Sequence, residues 1–182
     1  MMKVFIGGSR KITKLSSEVH RKLDGLIAKN LPIVLGDAPG IDKSVQQYLH
    51  EKGYRDVEVF CSGTRCRNNV GAWPTREVAV DSSRRDFSFY ATKDLRMAEE
   101  ASFGLMIWDG ESAGTLMNVL RLIKQNKSVL IFEAPKNRFL ELKSESEWKD
   151  LFSACSDDVK RRIEKLSSTD PKTATPVQAS LL

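Results

Sequence analysis

The stretch Phe103–Leu120, FGLMIWDGESAGTLMNVL, decides the fold of this chain. It opens with an apolar run that is too short for a membrane span but typical of a strand buried on both faces, and the run stops at Asp109-Gly110. Small polar residues follow, and Leu116 and Leu120 then recur at helical spacing. In a parallel sheet, a turn after a strand lies at the carboxyl edge, where the next helix directs its unpaired N–H groups and positive dipole end. Such a turn suits a phosphate group.

The composition predicts a globular protein. The chain has 182 residues, of which 41% are hydrophobic, enough for one domain with extensions. No stretch approaches the roughly 20 apolar residues of a membrane helix, and the amino-terminal MMKVFIGGSR has no signal-peptide cleavage region. We therefore expect a cytoplasmic protein without a membrane partner.

Cysteine and histidine give little indication of a metal site. The three cysteines are odd in number, and Cys61 and Cys66 do not have zinc-ribbon spacing. His20 and His50 lie in separate predicted helices, with no Cys or His at ligand spacing. We expect no disulfide framework, no metal and no cofactor.

The charge of the chain is weak evidence for any partner. A formal net charge of +5 and a pI near 9.1 permit nucleic-acid binding. The basic residues are interspersed with acidic ones through much of the chain, so the sequence predicts no continuous basic surface. We therefore do not expect nucleic acid as a partner.

The first strand, Lys3 to Gly7, runs into Gly7-Gly8-Ser9-Arg10, and a helix follows from about Ser16. Glycines at the end of a strand let the backbone turn sharply and approach a ligand closely, while Arg10 adds a planar cation. The alternative is a plain tight turn with an exposed arginine.

A second unit repeats this design. The strand Pro32 to Leu35 ends in the turn Gly36 to Gly40, and Asp42 and Lys43 open the next helix. Asp37 is a candidate acceptor for ribose hydroxyls. Asp42 either contacts the ligand or complements the helix dipole, and Lys43 is either a ligand contact or a solvated helix residue.

Residues 61–90 form the least regular part of the chain. They combine arginines with aromatic residues and predict a lid that clamps phosphate and stacks a base. The alternative is a surface excursion whose aromatic side chains attach it to the body of the domain. The candidate lid residues are Arg65, Arg67, Trp73, Arg84 and Arg85.

The alternation of strands and helices predicts an α/β fold, a Rossmann-like doubly wound parallel sheet of about five strands with helices on both faces. Residues 139–143 are a candidate edge strand. We expect residues 1–135 to form the ligand-binding domain, residues 136–166 to form a helical extension of it, and residues 167–182 to form a disordered tail.

Right-handed crossovers bring the turns that follow the strands to one edge of such a sheet. Three glycine-containing turns beside an arginine-rich lid predict a site for a phosphate-bearing small ligand. Neither the dinucleotide fingerprint G-x-G-x-x-G nor the P-loop motif occurs, which argues against ordinary dehydrogenase and P-loop functions. The predicted ligand-binding residues are Gly7, Gly8, Ser9, Arg10, Gly36, Asp37, Gly40, Asp42, Lys43, Gly110, Ser112, Gly114, Thr115 and Asn118.

Several of these motifs together resemble the SLOG superfamily, and in particular its small YspA-like proteins. The resemblance covers about residues 2–135 and rests on Gly7-Gly8-Ser9-Arg10, the turn Gly36 to Asp42, Lys93-Asp94 with Met97, and Trp108-Asp109-Gly110 followed by Ser112 to Thr115. The superfamily has a Rossmann-like fold. It includes the Lonely Guy phosphoribohydrolases, the DNA-processing protein DprA and sensors of nucleotide-derived signals. The resemblance implies a nucleotide or nucleotide-derived ligand and favours a homo-oligomer.

The sequence departs from the phosphoribohydrolase motif PGGxGTxxE at the position of its glutamate. Aligned on Gly114-Thr115, the chain reads GESAGTLMN, which places Asn118 where the glutamate stands. Because an amide does not exchange a proton as a carboxylate does, N-glycosidic cleavage needs another acid. Asp109 is the first candidate and Glu111 the second, with Asp37 and Asp42 as alternatives. Asp109 is otherwise a cap of the turn that follows it.

Three functional hypotheses remain open at this point. The first is a nucleotide-ligand module that acts as a sensor or as an N-glycosidase. The second is single-stranded DNA binding of the DprA kind, and the third is a partner-binding domain without catalysis.

Overall fold

The computed structural model describes residues 2–63, 65–78 and 87–170. Within these ranges, seven strands form one sheet in the order β4-β3-β2-β1-β5-β6-β7. The strands are β1 (Val4–Gly8), β2 (Ile33–Gly36), β3 (Val57–Ser62), β4 (Thr75–Val78), β5 (Phe103–Trp108), β6 (Val129–Glu133) and β7 (Arg138–Leu142). The first six pair in parallel and β7 is antiparallel to β6. The predicted Rossmann-like α/β class is confirmed.

The described residues form six α-helices and a short 3-10 turn at Ala134–Lys136; the last two helices follow β7, and the others lie between strands. The helices are α1 (Ser17–Ala28), α2 (Ile41–Glu51), α3 (Phe87–Glu100), α4 (Ala113–Ile123), α5 (Glu145–Ser153) and α6 (Asp157–Thr169). Side chains alternate between the two faces of the sheet, so Phe5 packs in one core cluster while Val4 and Ile6 pack in the other. The cluster that contains Phe5 includes side chains of α3, α4, α5 and α6, and the other includes side chains of α1 and α2.

The sheet is doubly wound about β1, which pairs with β2 on one side and β5 on the other. Along the β1–β5 pair, Gly8 is in register with Ile107. A methyl group on Gly8 would lie 2.3 Å from the carbonyl oxygen of Ile107, so only glycine fits here. The carboxyl ends of β1 and β5 form the switch point at which open α/β sheets bind ligands.

The predicted count of about five strands is too low. The extra parallel strand, β4, lies within the predicted lid and has the sequence TREV, in which only Val78 is buried. Such an edge strand has no apolar run or clear alternation by which it can be recognised. The candidate strand at 139–143 is confirmed as the antiparallel edge strand β7.

The structure contains one disulfide, Cys61–Cys66, with 5.0 Å between the two Cα atoms. The sequence predicts no disulfide framework, and this bond closes only a short loop after β3. A spacing of four residues between two cysteines carries no specific indication of pairing. The sequence does not predict this bond, which joins Cys61 of β3 to a cysteine five residues further along the chain.

The sequence predicts a disordered tail from residue 167, but helix α6 extends beyond that position. Residues 167–169 complete α6, and Asp170 is buried. Residues 171–182 lie outside the part of the chain that the structure describes.

Candidate functional site

A cleft of about 680 Å³ lies at the switch point between the ends of β1 and β5. Its walls come from the loop after β1, the start of α4, and one side of α3 and of α6. Among the lining residues are Gly8, Arg10, Lys11, Asp42, Tyr90, Lys93, Asp94, Asp109, Gly114, Asn118, Arg162 and Lys165.

The start of α4 borders this cleft. Ser112 caps the helix, because its Oγ accepts a hydrogen bond of 3.3 Å from the N–H of Thr115. Thr115 Oγ1 in turn donates to Ser112 Oγ over 2.9 Å, so this hydroxyl is used within the turn. The N–H groups of Ala113 and Gly114 lie in the first turn, where an α-helix supplies no acceptor. They border the cleft as donors for an anion.

Asp109 joins the loops after β1 and β5. Its Oδ2 accepts from Ser9 Oγ at 2.5 Å, and its Oδ1 accepts from the N–H groups of Glu111 and Ser112 at 3.0 and 2.7 Å. Burial raises the pKa of Asp109, but these hydrogen bonds outweigh it and hold the pKa below its usual value. Both oxygens are therefore engaged in holding the turn, which is the geometry of a cap.

Arg10 and Arg67 both contact the ring of Tyr90. The Cζ atom of Arg10 lies 5.1 Å from the ring centroid, and that of Arg67 lies 4.7 Å from it. Within the described ranges, Arg10 has no carboxylate at ion-pair distance. Arg10 is thus a cation at the cleft whose charge is available to an anionic ligand.

Arg67 is held by Asp37 instead. Its Nη2 donates to Asp37 Oδ1 at 2.6 Å, and its Nε and backbone N–H donate to Oδ2 at 3.2 and 3.0 Å. Burial raises the pKa of Asp37, but the bonds from Arg67 and the positive charge of Lys93 outweigh this effect and lower it. Asp37 therefore anchors the loop after β3.

A cluster of buried charges lies beneath the cleft. The ammonium of Lys93 is 3.6 Å from Asp37 Oδ1 and 3.3 Å from Asp94 Oδ1, and its side chain is 3% exposed. Burial lowers the pKa of Lys93, but the neighbouring carboxylates of Asp94, Asp42 and Asp37 outweigh this effect and raise it.

Asp42 belongs to the same cluster and lines the cleft. It accepts a hydrogen bond of 3.1 Å from the N–H of Ala38. Burial raises the pKa of Asp42 to about 6, although the charge of Lys93 opposes this. Perturbed carboxyl groups in a cleft are typical of functional sites.

Asn118 takes part in a polar network. Its Oδ1 accepts a hydrogen bond of 2.5 Å from Arg121 Nη1, and its Nδ2 lies 3.5 Å from Asp94 Oδ2. Arg121 is also bound by Asp170. The amide is thus suited to hold the guanidinium in place.

The structure brings most of the predicted residues together. The cleft is lined by Gly7, Gly8, Ser9, Arg10, Asp42, Asp109, Glu111, Ser112, Gly114, Thr115 and Asn118. The hydroxyl of Ser9 is engaged with Asp109, while Glu111 pairs at the surface with Lys11.

Five predicted residues do not line the cleft: Gly36, Asp37, Gly40, Lys43 and Gly110. A methyl group on Gly36 would lie 2.4 Å from both Asp42 Oδ2 and Lys93 Nζ, so this glycine makes room for the charge cluster. Asp37 binds Arg67, while Gly40 and Lys43 border a separate depression beside Tyr48.

The predicted lid is only partly observed. Trp73 is not available to stack a base, because it is 7% exposed in the core and its Nε1 donates to the carbonyl of Tyr54. Arg65 is exposed and does not line the cleft. Arg84 and Arg85 lie outside the described residues.

The sequence predictions miss several residues of the cleft. The aromatic residues Tyr90 and Phe5 line it, whereas Trp73 does not. Lys93 and Asp94 also line it. In the sequence they are noted only as part of the resemblance to the SLOG superfamily. Arg162 and Lys165 reach the cleft from α6. In the sequence, only their spacing of three residues indicates that they share one side of a helix.

The fold is shared with a known DNA-binding protein. No family model matches the sequence, and no curated relative matches it. A solved structure of DNA processing protein A from Helicobacter pylori, described for its single-stranded DNA binding mode, matches with a TM-score of 0.59. The match covers 91% of this chain and 80% of that chain at 14% sequence identity, so the likeness concerns the fold.

This likeness corrects the expectation that nucleic acid is not a partner. Interspersed charge argues against nucleic acid, yet the fold is that of a protein that binds single-stranded DNA. In the described part of the chain, no helix is long and apolar enough to cross a membrane, and no group of three or more potential metal ligands is found.

Proposed function

We propose that the cleft binds a nucleotide or nucleotide-derived ligand through its phosphate group. One observation carries this proposal: the cation of Arg10, which has no carboxylate partner in the described ranges, borders the same cleft as the open N-terminus of α4. A helix start and a planar guanidinium are both complementary to phosphate oxygens.

The rest of the cleft suits a nucleoside. Tyr90 offers an aromatic face, and the contact with Arg67 helps to hold its ring in position. A base that stacks on Tyr90 would replace the guanidinium of Arg10, which then becomes available to the phosphate. The resemblance to YspA-like proteins supports the same class of ligand.

The side chains of the cleft favour binding of the ligand without cleavage. Asn118 does not act as an acid, and both oxygens of Asp109 are occupied by hydrogen bonds. Asp42, with a pKa of about 6, is the carboxyl group best suited to proton transfer if cleavage occurs. The activity in that case is hydrolysis of an N-glycosidic bond.

Single-stranded DNA is the second candidate ligand, and the likeness to DNA processing protein A favours it. The shared chemistry is a nucleotide unit with a phosphate group. A single strand presents such units with their bases unpaired, ready to stack on an aromatic side chain.

The test is a titration of the protein with nucleoside monophosphates, NAD, ADP-ribose and a thymidine oligonucleotide, followed by calorimetry and by chromatography for released base. We expect saturable binding of at least one phosphorylated probe and weaker binding of the matching nucleoside. Release of free base would establish the hydrolase, and preference for the oligonucleotide would establish the DNA-binding version. Equal affinity for a nucleotide and its nucleoside would contradict the phosphate site.

A further inference from the structure

Helix α6 places two cations at the mouth of the cleft. Arg162 and Lys165, three residues apart on one side of the helix, both line it, and Lys11 lines it from the loop after β1. We call Lys11, Arg162 and Lys165 the cationic rim. It is separate from the start of α4 and from Arg10, which form the proposed phosphate site.

The rim is held in position by the packing of α6. Val159 and Ile163 of the same helix are buried in the core. Beyond its last turn, Asp170 binds Arg121 of α4 through Nε at 2.8 Å and also through Nη2. Because α6 is fixed against α4, its two rim cations, Arg162 and Lys165, start from a helix with a defined position relative to the first turn of α4.

The charges of the rim are weakly engaged. In the described part of the chain, Lys165 has no carboxylate within ion-pair distance, and Arg162 pairs with Asp158 at 3.4 Å. Lys11 pairs with Glu111 at 2.7 Å, but both side chains are largely exposed. Exposed pairs of this kind are weak, so a phosphate group can compete with the carboxylates for these cations.

The floor of the cleft does not offer comparable sites. Its cation, Lys93, is buried and already paired with Asp94 and Asp37. A ligand with one phosphate at the start of α4 would leave the rim in contact with water. A second phosphate further along the ligand would meet the rim cations instead.

We propose that the cationic rim is a second anion subsite and that the preferred ligand carries two phosphate groups, one at the start of α4 and one on the rim. This inference rests on the proposed function, which supplies the first phosphate site. Two sources provide this chemistry: a nucleoside diphosphate, or two successive nucleotides of a single strand.

The experiment uses matched ligands that differ by one phosphate. AMP is compared with ADP, and thymidine monophosphate with the 5′-phosphorylated thymidine dinucleotide, by calorimetry on the full chain. In the double variant Arg162→Gln/Lys165→Gln, we expect affinity for a two-phosphate ligand to fall about tenfold or more, while affinity for its one-phosphate partner changes less than about twofold. The pair that shows this difference identifies the source of the second phosphate.

The control is Lys160→Gln/Arg161→Gln, which removes the same charge from the same helix at residues that do not line the cleft. It should leave the two-phosphate affinity within about twofold of the wild-type value. In addition, the slope of log affinity against log salt for the dinucleotide should become less negative in the rim variant, by about 0.7 for each phosphate that the protein no longer neutralises.

An equal loss for one- and two-phosphate ligands in the rim variant would overturn the inference, and so would an equal effect of the control. Neither result affects the proposed function, because one-phosphate binding by the wild-type chain is measured in the same series. Absence of binding to every probe would overturn both the second subsite and the proposed function. Circular dichroism and the melting temperature show that each variant is folded, which we expect because the substituted side chains lie on the surface of α6.

Discussion

Arg121 of α4 and Asp170 at the end of α6 form an ion pair whose side chains are each 1% exposed. The pair fastens the last helix to the one that borders the cleft. The guanidinium is also held by Asn118 Oδ1, so the pair belongs to the network that reaches Asp94.

Removal of one partner of this pair should destabilise the fold strongly. In Asp170→Ala, the guanidinium of Arg121 stays buried with its charge less well compensated, and the free energy of unfolding should fall by about 3 to 5 kcal/mol. Urea denaturation measures this loss. The double variant Arg121→Met/Asp170→Leu should recover much of it, because no charge is then left in the interior. A loss below about 1 kcal/mol in Asp170→Ala would show that water reaches the pair.

The raised pKa of Asp42 predicts an unusual dependence of the free energy of unfolding on pH. Its pKa in the folded state is about 6, against an ordinary value of 3.8, so the folded state holds the proton more tightly than the unfolded state. The stabilisation from protonation is complete below the ordinary value and is lost as the pH rises through about 6. Burial is the main cause of the raised pKa; the positive charge of Lys93 opposes it, and the negative charges of Asp94 and Asp37 add to it.

The variant Asp42→Asn removes this titration and keeps an oxygen for the N–H of Ala38. At pH 7.5 it should be more stable than the wild type by roughly 2 to 3 kcal/mol, and the gain should shrink towards pH 4. Urea denaturation at the two pH values gives the comparison. If the variant is less stable at pH 7.5, the carboxylate is stabilised by Lys93 more than burial destabilises it.

Sequence reasoning locates the central strand, helix α4 and the edge of the sheet where the turns converge, because apolar periodicity and glycine positions follow directly from backbone geometry. It does not locate the charge cluster. Lys93 and Arg121 look like solvated helix residues, and their burial depends on partners that come from other elements, such as Asp37 and Asp170. The prediction that Trp73 belongs to a lid is wrong because sequence does not distinguish a core aromatic residue from one in a cleft.

Gly114 and Gly8 provide a matched test of the cleft. A methyl group on Gly114 meets no atom within 4 Å, whereas one on Gly8 would lie 2.3 Å from the carbonyl oxygen of Ile107. Gly114→Ala should therefore raise the free energy of unfolding by about 0.5 to 1 kcal/mol, since alanine favours helix more than glycine does. The same methyl group should weaken nucleotide binding, because the residue borders the cleft.

Gly8→Ala should instead lower the melting temperature sharply or prevent folding. Thermal denaturation followed by circular dichroism distinguishes the two variants, and calorimetry with the best nucleotide probe measures the binding effect of Gly114→Ala. Unchanged affinity in Gly114→Ala would place the ligand away from the start of α4.

Arg10 and Arg67 should respond in opposite ways to replacement by alanine, although both contact Tyr90. Arg10→Ala should weaken nucleotide binding about tenfold or more, on the order of 1.4 kcal/mol, and leave the melting temperature nearly unchanged. Arg67→Ala removes the partner of the buried Asp37 and should lower the melting temperature. A stability loss in Arg10→Ala with unchanged affinity would reverse the assignment.

Asp109→Asn tests whether this carboxylate caps a turn or takes part in chemistry. The amide keeps one oxygen for the N–H groups of Glu111 and Ser112, but its NH₂ group faces Ser9 Oγ, which donates to Asp109 in the wild type. We expect the free energy of unfolding at pH 7 to fall by about 1 kcal/mol, because charge-assisted hydrogen bonds are replaced by neutral ones.

The wild-type pKa of Asp109 is depressed from 3.8, so the stability contributed by this carboxylate is present above that value and is lost as the pH falls through the folded pKa. The difference between variant and wild type should therefore be smaller at pH 3 than at pH 7, which urea denaturation at the two pH values can show. A fall in turnover of about a hundredfold, with stability and affinity kept, would instead make Asp109 catalytic.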